Sequence, residues 1–129
     1  MNWRRVVRDT LIVWFATALG GAVVGFCFAL LGAMESPKLS VAIGFTNVVF
    51  SLVAFSIVAV LAKEGRLRHL AIVALASWVL GLVNVAFFGV TFWRWLLSIF
   101  VLAIFALIGG TIAWLITFLT RASSQEGAA

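Results

Sequence analysis

Charged residues interrupt this chain in only five places: Arg4, Arg5, Arg8 and Asp9; Glu35 and Lys38; Lys63, Glu64, Arg66 and Arg68; Arg94; and Arg121 with Glu126. Between them run four uncharged stretches, residues 10–34, 39–62, 69–91 and 95–120. Each is long enough for the ~20 residues of a membrane-spanning helix. None alternates polar and apolar positions over the ~10 residues of a membrane strand, so helices are the predicted elements. Links this short join antiparallel neighbours, which predicts an all-α membrane protein: residues 1–129 as one antiparallel up-down-up-down four-helix transmembrane bundle, with the second and third helices side by side.

Composition agrees. Apolar residues make up 65% of the 129, mean hydropathy is +1.25 and only 10% are charged, too few charges to give a soluble domain of this size a water-compatible surface. The first stretch follows a basic start, as a secretory signal does, but its apolar run exceeds the usual ~7–15 residues and no A-x-A-like site closes it. It is therefore read as a span. Arg4, Arg5, Arg8, Lys63, Arg66, Arg68 and Arg121 fall on one side of four crossings, against Lys38 and Arg94 on the other. That seven-to-two bias predicts that both termini are cytoplasmic, in the plasma (inner) membrane, and argues against dual topology. The net charge of +5 is thus a topology signal first and an attraction to anionic headgroups second. No nucleic-acid motif accompanies it.

Local signals place the helix ends. Ser36 before Pro37 reads as an N-cap with proline at the first helical position, and Gly65 as a C-terminal cap after Lys63 and Glu64. Trp3, Trp14 and Trp114 mark one interface and Trp93 and Trp95 the other, with Trp78 deeper than either belt. Residues 122–129 are small and polar, a frayed tail. Cys27 is the sole cysteine and reads as a small buried hydrophobe, with no internal disulfide possible.

Lipid offers helices no hydrophobic reason to associate, so small residues that admit close approach and polar side chains that bond across helices carry the information. In the first helix Thr17, Gly21, Gly25, Ala29 and Ala33 recur every four residues and include one GxxxG, from Gly21 to Gly25. Single stripes at three-and-four spacing follow in the other helices: Gly44, Asn47, Ser51, Ala54; Ala74, Ser77, Gly81, Asn84; and Ala103, Ala106, Gly110, Ala113, Thr117. These faces are predicted to turn inward, with Gly21, Gly25, Gly81 and Gly110 as packing positions. Asn47 and Asn84 lie at similar depth, so adjacent second and third helices would bond their amides, worth about 0.6–2 kcal/mol. Alternatively Asn47, Ser51, Ser77 and Asn84 line a narrow polar path for a solute.

No Asp, Glu, Lys, Arg or His falls inside the four stretches apart from His69 at the very edge of the third, and such residues usually mark ion coupling and charged-substrate sites. The stretch Leu11 to Leu31 lacks the acid that small multidrug-resistance exporters carry there. Gly20, Gly21 and Gly25 match only the start of the fluoride-channel pattern, since no arginine follows. His69 has no nucleophile, carboxylate pair or ligand cluster near it in sequence, so it reads as a headgroup-level residue, and neither catalysis, metal nor cofactor is implied. Serines and threonines in the spans are expected to bond the preceding helical turn. What remains is a non-catalytic accessory or structural subunit, associating through its small-residue faces as a homo-oligomer or within a larger membrane complex. The second possibility is a homo-oligomeric channel or carrier for a small uncharged or weakly charged solute.

Overall fold

The computed structural model describes residues 3–62, 65–87 and 89–126. Lys63, Glu64 and residues 127–129 of the expected tail lie outside them. Among the described residues five helices form: α1 (Trp3–Leu30), α2 (Lys38–Leu61), α3 (Arg66–Leu80), α4 (Leu82–Phe87) and α5 (Phe92–Glu126). With α3 and α4 read as one broken span, four helices are long and apolar enough to cross a membrane. The chain is an all-helical integral membrane protein.

The first span differs from the expected 10–34. It starts seven residues earlier and ends at Leu30, because a positive charge at a helix start does not break the backbone ladder when its side chain can reach out. Arg4, Arg5 and Arg8 are exposed while Asp9 is buried. Gly32 then takes a left-handed φ of 63° that ends the helix, and Ser36 Oγ accepts the Lys38 N–H at 3.3 Å as α2 begins. Gly65 also has a positive φ, 57°, but caps the start of α3, and the end of α2 is closed by Ala62.

The helices pack as two hairpins. Gly20 and Gly21 of α1 lie against Ile43, Thr46, Asn47 and Phe50 of α2, and α3 runs antiparallel to α5 with Gly110 on Leu70 and Trp78 on Trp95. The hairpins meet through α1 on α3 and α2 on α5. Contrary to the expectation from their short link, α2 and α3 are therefore not side by side: they stand on one diagonal of the bundle, and α1 and α5 on the other.

Packing is uneven along the bundle axis. Near Asp9, apolar residues from all four spans are buried together, among them Val6, Val13, Phe55, Val58, Leu70, Val73 and Ala113. The closest approach at any described glycine falls outside the predicted stripes: a Cβ built at Gly109 would lie 2.8 Å from Phe55 Cβ and 3.0 Å from Ser56 N. Toward Trp95, residues 21–30 of α1, 38–50 of α2 and all of α4 contain no buried position. The inward stripes accordingly hold near Asp9 and fail beyond it: Ser51, Ala54, Ala74, Ser77, Ala106, Gly110 and Ala113 are buried, but Gly44 and Ala103 are exposed. Cys27 is exposed on α1, against the expectation of burial.

Candidate functional site

Two polar groups of different character occupy the interior. The first joins α1 to α3 at the Asp9 end. Asp9 is 1% exposed, and its Oδ2 accepts a hydrogen bond from His69 Nε2 at 2.8 Å. Its other oxygen accepts from Arg8 at 2.7 Å. A carboxylate withdrawn from water needs such donors, since an unpaired buried charge is strongly unfavourable. His69 is thus an interhelical partner and not a residue standing free at headgroup level. The sequence signal that could have found this is modest: Asp9 is the only acid in the first charged cluster and His69 the only histidine, both near the start of a helix.

The second group comprises the four residues predicted from the stripes. Ser51 and Ser77 are buried on the diagonally opposed α2 and α3. Asn47 faces α1, where a Cβ built at Gly21 would lie 3.5 Å from its Oδ1. Asn84 is half-buried on the short α4, and among the described residues no hydrogen bond joins its amide to that of Asn47. The expected amide pair is absent because the diagonal placement of α2 and α3 separates them. Asn47 Oδ1 and Ser77 Oγ are buried without a partner, as is Thr10 Oγ1 beside Asp9. Five in-span hydroxyls behave as expected: Thr17, Thr46, Ser56, Thr111 and Thr117 each donate to a carbonyl one turn back.

The far end is closed by tryptophans. Trp78 Nε1 donates to Trp95 O at 3.0 Å, and Trp95 Nε1 donates to Trp78 O at 2.8 Å. The two rings stack 4.1 Å apart with planes 15° from parallel. Gly81 makes this possible: a Cβ there would lie 2.9 Å from Trp78 O and 3.3 Å from Trp95 Cδ1. It also breaks the third span between α3 and α4. Trp95 is consequently not a belt residue, being 8% exposed where Trp93 is 65% exposed. Of the predicted packing glycines, Gly21, Gly81 and Gly110 each meet a neighbour, whereas a Cβ at Gly25 would meet nothing within 4 Å in this chain.

A third feature, unforeseen from sequence, is a half-open groove of about 530 Å³ between α3 and α5, with Arg66 at one end and Leu67, Leu107, Trp114 and Phe118 along its walls. Comparison with known protein families, curated proteins and solved structures finds no match.

Proposed function

We propose that the chain is a non-catalytic subunit of a membrane assembly, and that another transmembrane helix packs on its α1/α2 hairpin toward the Trp95 end. The observation that carries this reading is a difference among its glycines. Gly20, Gly21, Gly81, Gly109 and Gly110 are filled by the chain's own neighbours, but Gly25 and Gly44 have nothing within 4 Å. The register set by Gly21 on Ile43 and Asn47 puts Gly44 level with Gly21, so Gly25 lies about one helical turn, ~5 Å, beyond it on the adjacent helix. Close backbone approach is a main driving force for helix association in lipid, so an unfilled pair of glycines is where a further helix gains contact. The basic bias supports a cytoplasmic Asp9 end and the inner membrane.

Native mass spectrometry of the full chain in mild detergent tests it. The wild type should run as an oligomer or with a stoichiometric membrane partner, and the Gly25→Leu/Gly44→Leu double variant should run as the 13.9 kDa single chain with its own melting unchanged. A monomeric wild type, or an assembly indifferent to both substitutions, refutes the reading.

A second reading, the homo-oligomeric channel or carrier, is favoured by the orphaned Asn47 Oδ1 and Ser77 Oγ. Buried polar atoms without partners are where ordered water sits, and water-filled seams conduct small neutral solutes. Flux of glycerol or urea into liposomes containing the protein, lowered by Ser77→Val, would put this reading ahead; absence of flux removes it.

A further inference from the structure

From the groove between α3 and α5 we infer a binding site for one anionic phospholipid, its phosphate on Arg66 and one acyl chain lying against Leu67, Leu107, Trp114 and Phe118. The groove's volume of about 530 Å³ falls within the ~300–1,000 Å³ of ordinary ligand clefts. Its polarity is concentrated at one end. Thr117 and Thr111 also line it, but their hydroxyl protons are already given to Ala113 O at 2.7 Å and Leu107 O at 2.9 Å. Arg66 is different. Its recorded bonds, Nε to Ala62 O and Nη2 to Thr117 Oγ1, are both 3.4 Å long, beyond the 2.7–3.2 Å of good N–H···O bonds. Among the described residues no carboxylate pairs with it. A guanidinium carries five donors in a fork suited to phosphate oxygens, so most of its capacity remains to be used.

Length argues for a lipid in place of a free anion. From Phe118 to Leu107 the groove follows roughly 16 Å of helix at 1.5 Å per residue. The hydrocarbon core is about 30 Å thick, so the groove descends from headgroup level, where α3 begins at Arg66, to about the bilayer midplane. A cation at the interface above an apolar trough one leaflet deep is the complement of an anionic lipid. Gly110 floors the trough: a Cβ there would lie 3.2 Å from Leu70 Cδ1, so the α3/α5 contact itself sets its depth.

The test reconstitutes the full chain in mixed phosphatidylglycerol and phosphatidylcholine bilayers and counts retained lipids by native mass spectrometry. Wild type should retain one phosphatidylglycerol about fivefold over phosphatidylcholine, the preference conferred by one basic residue near the surface. R66Q should lose that preference, R66K should keep part of it, and T111W, which fills the trough and leaves Arg66 in place, should lower retention of both lipids. Wild-type retention by R66Q, an equal loss in R94Q at the opposite end, or indifference to T111W would each overturn the site; melting of every variant separates lost binding from lost folding.

Discussion

The two ends of the bundle are built from the same residue types and hold together differently. Around Asp9, small residues face bulky ones: Gly109 receives Phe55, Gly110 receives Leu70, and Val58, Val73 and Ala113 are fully enclosed between them. Around Trp95, Gly21 still meets Ile43 and Asn47, but Gly25 and Gly44 meet nothing within 4 Å, and α3 is tied to α5 by the stacked indoles and their reciprocal bonds. A small-residue stripe is therefore only half of a helix contact. Where the opposing side chain is absent, the stripe remains an open surface, which is why the same pattern reads as core at one end and as a docking face at the other.

That contrast sets the order of expected effects on unfolding, followed by thermal melting or denaturant titration in detergent. Asp9→Leu strands the largely buried His69, while the exposed Arg8 turns to solvent, and should cost about 3 kcal/mol, the scale for breaking a buried pair. The double variant Asp9→Leu/His69→Leu should recover most of that loss, and a double-mutant cycle that shows simple additivity would mean the pair contributes nothing specific. Gly109→Leu should cost about 2–3 kcal/mol by overpacking against Phe55; a silent substitution there would sink the account of the tight end. Trp95→Phe removes one indole donor while keeping the stack, and should cost about 1 kcal/mol. Smallest is Ser77→Ala, which deletes an unpaired buried hydroxyl and should be neutral or stabilising by about 0.5 kcal/mol; a clear destabilisation would show that Ser77 has a partner, such as water.

Hydropathy made the four spans legible, since ~20 uncharged residues admit few other structures. The inward stripes were legible for the same reason wherever a partner fills them. Lateral order was not. The link from Ala62 to Arg66, at up to 3.3–3.6 Å per residue, reaches across the roughly 11–14 Å diagonal of a bundle with 8–10 Å sides as well as along one side, so its length could not decide between α2/α3 adjacency and opposition. The Asp9–His69 contact was hidden with it. Asp9 falls just outside the stretch 10–34 read as a span, and the contact of α1 with α3 is what encloses its carboxylate. Trp95 was misjudged because depth alone cannot distinguish an indole at an interface from one that reaches a backbone carbonyl beside the break at Gly81.

The diagonal arrangement has a consequence for how the protein is made. Chains emerge from the N-terminus at about 5–20 residues per second, so the α1/α2 hairpin exists for several seconds before α5 has been synthesised. His69 follows only eight residues after α2 ends at Leu61, so the partner of Asp9 is made early in that interval, on the next helix to appear. The Asp9–His69 contact between α1 and α3 can therefore form before α5 is complete, and the last helix then has one vacant corner, beside α2 and α3.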